Sequence, residues 1–116
     1  MKVIIAGSRH MTQAHLIAPA VLASGFDVTE VVCGLAKGAD TLGAVWAGKA
    51  GIPVKAFPAD WNRYKRGAGP IRNAQMRDYA DAAIIFIWDG SRGSENMRQQ
   101  MIAVSKPCFV VRDGKI

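Results

Sequence analysis

Five short apolar runs, separated by stretches of helical pattern, constrain the fold of this chain more than any other feature. The runs are VIIAG (3–7), EVVC (30–33), PVKAF (53–57), AAIIFIW (82–88) and PCFVV (107–111). Short runs rich in β-branched residues are typical of strands that are buried on both faces of a parallel sheet. The run over 82–88 is the most apolar of the five, which predicts that it is the central strand.

Helical patterns fill the intervals between these runs. We predict helices over 13–24, 39–51, 71–81 and 95–105. Pro19 interrupts the first pattern, and 58–70 shows no clean period, which predicts a loop. Strands that alternate with helices pair in parallel through right-handed crossovers. The sequence therefore predicts one domain over 1–116, an α/β Rossmann-like three-layer sandwich with a central, mostly parallel sheet of about five strands.

The segments that follow the strands are where a site is expected, because ligands of open parallel sheets lie beyond the carboxyl ends of the strands. Seven of the fifteen Lys and Arg residues fall in these segments, namely Arg9, Lys37, Arg63, Lys65, Arg66, Arg72 and Arg92. Three of the segments, GSRH, GLAKGAD and DGSRGS, are also glycine-bearing turns. Glycine turns with many cations are typical of phosphate binding. The alternative is that they are only tight, polar turns.

The charge balance indicates an anionic partner without identifying it. Lys and Arg number 15 against 9 Asp and Glu, which gives a net charge of +6. An excess of this kind suits a nucleotide or a nucleic acid, although it also serves solubility. Neither G-x-G-x-x-G nor G-x-x-x-x-G-K-[ST] is present, so the sequence does not support a dinucleotide-dependent dehydrogenase or an ATPase.

No apolar stretch approaches the ~18 residues of a membrane span, and the N-terminal pattern is not that of a signal peptide. We therefore expect a cytoplasmic protein with no membrane contact. His10 and His15 do not share a helix face as i, i+4 metal ligands would. We expect no metal and no cofactor.

Motifs along nearly the whole chain resemble the SLOG superfamily, in particular its small stand-alone YspA-like branch. They are VIIAGSR, GLAKGAD, FPADW, AGPIRN..M...AD and WDGSRGS..M. The GLAKGAD stretch is similar to the DNA-processing protein A family, which binds single-stranded DNA. The stretch from IRNAQM to GSENM is similar to the LOG phosphoribohydrolases. The resemblance implies a nucleotide or nucleotide-derived ligand.

The residues predicted to bind this ligand lie in the segments after the strands. They are Gly7, Ser8, Arg9, Gly34, Lys37, Gly38, Asp40, Trp61, Arg72, Asn73, Asp89, Gly90, Ser91, Gly93 and Ser94. We expect Gly34 and Gly38 to let the backbone close around the anion, with Lys37 supplying charge. Asp40 is either a helix N-cap or a ribose contact. Trp61 either stacks on a base or fixes its loop to the core.

The LOG resemblance also bears on catalysis. It places Arg72 on the catalytic arginine of those enzymes and Asp89 within their glycine-rich phosphate turn. Their glutamate, however, falls on Met97, and Glu95 lies about 200° away around the helix. The candidate catalytic residues are therefore Arg72, Glu95 and Asp89, and the missing carboxylate favours binding over hydrolysis.

Three functions follow. The first is a nucleotide-binding sensor or sequestering module. The second is a LOG-type hydrolase or transferase acting on an N-glycosidic bond. The third is a single-stranded nucleic-acid binder, which the Trp61–Arg66 segment favours because an aromatic residue lies among cations. Related SLOG proteins pair through the helices that correspond to 71–81 and 95–105, which carry Met76, Met97 and Met101 here, so the resemblance also implies a homo-oligomer.

Overall fold

A single five-stranded sheet with helices on both faces forms the body of the protein. The computed structural model describes all 116 residues. The strands are β1 (Lys2–Gly7), β2 (Glu30–Cys33), β3 (Val54–Ala56), β4 (Ala82–Ile87) and β5 (Cys108–Arg112). The helices are α1 (Ile17–Ser24), α2 (Ala39–Lys49), α3 (Trp61–Tyr64), α4 (Ala68–Tyr79) and α5 (Arg92–Ala103). This confirms the predicted Rossmann-like α/β fold.

Every neighbouring pair of strands is parallel, and the strand order is β3-β2-β1-β4-β5. The middle strand is β1, whereas the sequence placed β4 there; β4 is fully buried as its neighbour. The chain runs outward from β1 to β3 and then crosses to β4 on the other side. The order therefore reverses between β1 and β4, which is the position where open α/β sheets bind ligands.

Two apolar layers hold the helices onto the sheet. On one face Ile5 and Phe86 pack with α1 and α2. On the other face Met76, Met97 and Met101 pack between the sheet and α4 and α5, each at most 1% exposed. These methionines lie in the core of their own chain. They are therefore not part of the exposed surface of α4 and α5.

The segment over 58–70 is not the loop that the sequence predicted. The side chain of Asp60 accepts a hydrogen bond from the N–H of Arg63 at 3.2 Å and caps the four-residue helix α3. Helix α4 then begins three residues earlier than predicted. Pro70 lies in its first turn, where the missing N–H would have no helical partner. Pro19 occupies the same position in α1. None of the helices has the length and apolar character needed to cross a membrane.

Candidate functional site

A cleft of about 710 Å³ opens at the carboxyl edge of the sheet, between the segments that follow β1 and β4. Its size is within the usual range for small-molecule sites. Eleven of the predicted ligand residues line it, namely Gly7, Ser8, Arg9, Asp40, Trp61, Arg72, Asn73, Asp89, Ser91, Gly93 and Ser94. Four predicted residues do not line it, namely Gly34, Lys37, Gly38 and Gly90.

The two glycines of GLAKGAD have a different role from the predicted one. A Cβ atom at Gly34 would overlap the guanidinium of Arg72, and one at Gly38 would overlap the carbonyl oxygen of Ser8. Gly38 also has a φ of +81°, which favours glycine. Lys37 is exposed. At both positions the missing side chain therefore admits one of the protein's own groups close to the backbone.

Asp40 is a buried carboxylate that joins two of the loops at the edge of the sheet. It is 3% exposed and accepts a hydrogen bond from the N–H of Gly34 at 3.0 Å. Burial raises the pKa of Asp40, while the nearby Arg72 and the N–H groups of Gly34, Gly7 and Ala36 act in the opposite direction. Asp40 lies inside the first turn of α2 and makes no cap hydrogen bond, so it is not the N-cap residue that the sequence allowed.

A chain of hydrogen bonds connects α4 and α5 at the wall of the cleft. The Nε of Arg72 donates to Oδ1 of Asn73 at 3.1 Å, and the amide of Asn73 donates to Oδ1 of Asn96 at 3.0 Å. The same amide also contacts the carbonyl of Gly93 at 3.4 Å. Asn73 is 6% exposed, so this chain fixes the spacing of the two helices where they meet the cleft.

The first turn of α5 presents unpaired backbone donors. Ser91 is the N-cap residue, and its side chain makes no cap hydrogen bond. The N–H groups of Arg92, Gly93 and Ser94 donate to no protein acceptor. All four residues line the cleft. Free N–H groups at a helix start, together with the helix dipole, attract an anion.

The cleft has more free positive than free negative charge. Arg9, Arg66 and Arg92 line it, and none of the three forms an ion pair or a side-chain hydrogen bond within the protein. The only carboxylates of the lining are the buried Asp40 and the exposed Asp89. A site of this composition attracts an anionic group.

Of the two carboxylates considered for catalysis, Asp89 lines the cleft and Glu95 does not. Glu95 does not line the cleft; it accepts hydrogen bonds from Arg98 and Arg112, each at 2.8 Å, and these bonds lower its pKa. Met97, the position to which the LOG resemblance assigns a glutamate, does line the cleft and is 1% exposed. Asp89 stands at the rim, and its N–H donates to the Asp113 carboxylate at 3.0 Å.

The cleft is also lined by Arg66 and Arg92, which the sequence placed among the cations of this edge but not among the ligand residues. His10, Trp88 and Asn96 line it as well and were absent from the predicted ligand residues. Two of them could have been found from position, because His10 directly follows Arg9 and Asn96 lies about one helical turn after Gly93. Trp88 packs against Phe86, with ring centroids 6.1 Å apart, and forms one wall. Trp61, half exposed, faces the cleft from α3.

The fold and the cleft define a small Rossmann-like α/β protein with a basic site at the carboxyl edge of its sheet. The model of the YspA, cpYpsA-related SLOG family matches residues 1–64. The chain therefore belongs to this SLOG family.

One solved structure with a similar fold is DNA processing protein A (DprA) from Streptococcus pneumoniae, with a TM-score of 0.58 and 17% sequence identity. The match covers 97% of this chain and 59% of that one, so the chain spans little more than half the length of that protein. No curated protein is significantly similar to this chain.

Proposed function

We propose that the cleft binds a nucleotide or a nucleotide-derived anion, and that the protein acts as a sensor or a sequestering module for it. Membership of the SLOG family supports a nucleotide-related or nucleic-acid-related role in general. The observation that carries the proposal is the set of three unpaired arginines, Arg9, Arg66 and Arg92, which line the same cleft as the open N-terminus of α5.

Each part of such a ligand has a group of matching chemistry in the cleft. The N–H groups at the start of α5 and the guanidinium of Arg92 suit a phosphate. Trp61 and Trp88 offer flat apolar surfaces that suit a base. This arrangement supports binding and not hydrolysis, because Met97 cannot stabilise a developing cation or activate water.

A variant pair tests the role of the arginines. Arg92→Ala should weaken the binding of adenosine monophosphate by at least about tenfold, or about 1.4 kcal/mol, in titration calorimetry. Lys49→Ala removes the same charge at the far end of α2 and should leave the affinity unchanged. Equal losses in the two variants would show that only net charge matters, and the proposed site would be wrong.

Single-stranded nucleic acid is the second candidate. Trp61 is 50% exposed and is followed on the same surface by the exposed cations Arg63, Lys65 and Arg66. The structural neighbour is named as a DNA processing protein. A polymer ligand would show affinity that rises with oligonucleotide length and falls steeply with salt. A mononucleotide site would show neither dependence strongly.

A further inference from the structure

Three side-chain amides between α4 and α5 form a chain of hydrogen bonds with an arginine at each end. The amides belong to Asn73, Asn96 and Gln100. Arg72 donates from Nε to Oδ1 of Asn73 at 3.1 Å. At the other end, Arg77 donates from Nη1 to Oε1 of Gln100 at 3.1 Å. A guanidinium donates hydrogen bonds and never accepts them, so each arginine determines which end of the adjoining amide carries the oxygen.

The two arginines thereby fix the orientation of the Asn96 amide, which lies in the middle of the chain. The oxygens of Asn73 and Gln100 face the arginines, so their NH2 groups are left to donate to Oδ1 of Asn96, each at 3.0 Å. An amide oxygen has two lone pairs, and these two donors use both. The Nδ2 of Asn96, at the other end of the same amide, makes no hydrogen bond within the protein.

The free NH2 group of Asn96 is open to the cleft. No buried side-chain nitrogen or oxygen of the protein lacks a partner, so this unpaired nitrogen is accessible, and Asn96 lines the cleft. Asn96 lies about one turn beyond the unpaired N–H groups of Arg92, Gly93 and Ser94. Side chains of a helix lean back toward its N-terminus, so the Asn96 donor is directed toward the same end of α5 as those N–H groups.

On the basis of the nucleotide-anion site proposed above, we propose that Asn96 is a specificity-determining residue, which donates from Nδ2 to an oxygen of the ligand's phosphate. Phosphate oxygens are strong hydrogen-bond acceptors, so they match a donor whose orientation is already fixed. Turning the amide over to offer its oxygen would break both bonds to Oδ1 and set NH2 groups against each other. The cleft therefore selects an acceptor at this position and disfavours a ligand that presents a donor there.

Asn96→Asp separates ligand recognition from the packing of α4 against α5. The carboxylate keeps an oxygen for the amides of Asn73 and Gln100, so the melting temperature should not fall. It replaces the free donor with an anionic acceptor, so the affinity for adenosine monophosphate should fall by at least about tenfold in titration calorimetry. An affinity equal to that of the wild type would overturn the role of Asn96.

Gln99→Glu is the matched control for this variant. It makes the same change from amide to carboxylate on α5, but Gln99 is exposed and does not line the cleft. The affinity for adenosine monophosphate should therefore stay unchanged. A loss equal to that of Asn96→Asp would show that added negative charge on α5, and not the lost donor, weakens binding, and it would overturn the role of Asn96.

Nuclear magnetic resonance of the wild-type protein tests the contact itself. Adenosine monophosphate should shift the side-chain NH2 signals of Asn96, identified by their loss in Asn96→Asp, together with the backbone N–H signals of 92–94. Inorganic phosphate, which has neither sugar nor base, should shift the same signals.

The two sets of signals distinguish this inference from the proposed function. Shifts at 92–94 without a shift of the Asn96 NH2 group would overturn the inference and leave the proposed function standing. An Asn96 shift with adenosine monophosphate but not with inorganic phosphate would place the donor on the sugar or the base, which overturns the phosphate contact. No shift at any of these groups with either probe would overturn both.

Discussion

The Nη1 atom of Arg72 donates a hydrogen bond to the backbone carbonyl of Gly34 at 2.9 Å, across 38 residues of sequence. This bond joins α4 to the loop after β2, beside the buried carboxylate of Asp40. Arg72 therefore supports the architecture of the cleft as well as lining it. Its removal would change both stability and binding, so other arginines test the ligand contact more cleanly.

Gly34→Ala should destabilise the protein. The new Cβ would overlap the Arg72 guanidinium, so either that side chain or the loop must move. Overpacking of this kind typically costs about 1–3 kcal/mol of unfolding free energy. Urea denaturation followed by circular dichroism measures the change.

Gly48→Ala is the control for that measurement. Gly48 lies in α2, and a Cβ there would meet nothing within 4 Å. Alanine favours a helix over glycine, so the free energy of unfolding should rise by about 0.5–1 kcal/mol. If Gly34→Ala were equally stabilising, the close approach of Arg72 would not constrain position 34.

Asp40→Ala should lower the free energy of unfolding by about 1–3 kcal/mol, because it leaves the buried N–H of Gly34 without an acceptor. Asp40→Asn keeps an acceptor oxygen at that place and should cost much less. Equal losses for the two variants would show that the hydrogen bonds to Asp40 do not determine its contribution.

The raised pKa of Asp40 predicts that the stability of the protein depends on pH. Folding raises the pKa of Asp40 above its ordinary value of 3.8, so the folded state binds more protons over the interval between the two values. The part of the stability that comes from protonating Asp40 is therefore largest below pH 3.8 and is lost as the pH rises through the raised folded pKa. The amide side chain introduced by Asp40→Asn does not titrate. The free energy of unfolding of this variant, relative to that of the wild type, should therefore rise from acid to neutral pH. A constant difference across that range would contradict the raised pKa.

Asp113→Ala should weaken ligand binding although Asp113 does not line the cleft. Its carboxylate accepts the hydrogen bond of the Asp89 N–H, and Asp89 holds a φ of +52° at the rim. Because Asp113 is exposed, the stability should change by no more than about 0.5 kcal/mol. Calorimetry with adenosine monophosphate should show a weaker affinity, and Lys115→Ala in the same tail should not. Unchanged affinity in Asp113→Ala would mean that the turn keeps its shape without that bond.

Hydrolysis of nucleoside monophosphates should be absent, and Glu95→Gln should not change that result. Glu95 is engaged by Arg98 and Arg112 outside the cleft, and Met97 occupies the lining position. Release of free base, followed by chromatography, measures the activity. Turnover by the wild type that Glu95→Gln abolishes would make Glu95 catalytic and the protein an enzyme.

The sequence predicted the strands well because short apolar runs of β-branched residues rarely form anything but buried strands in a chain of this size. It missed α3, since a four-residue helix has no room for an apolar period and depends on one cap, Asp60. It also took Pro70 as the end of a loop, although proline fits the first turn of a helix.

At the site, the sequence located the segments better than the roles of single residues. The glycine turns pointed to the carboxyl edge of the sheet, where the cleft lies. The pattern could not show that Gly34 makes room for Arg72, because these residues are far apart in sequence and meet only in the folded chain. Likewise the burial of Met76, Met97 and Met101 depends on which face of each helix meets the sheet.

Calorimetric titration of the wild-type protein with adenosine monophosphate, with adenosine as the unphosphorylated comparison, tests the central claim most directly. The basic cleft predicts one site per chain, with the monophosphate bound at least about tenfold more tightly than the nucleoside. The affinity should persist in Lys49→Ala, which removes a positive charge at the far end of α2, and it should fall in Arg92→Ala. If neither this monophosphate nor the corresponding di- and triphosphates bind, or if adenosine binds as tightly as its phosphates, the cleft is not a site for nucleotide anions.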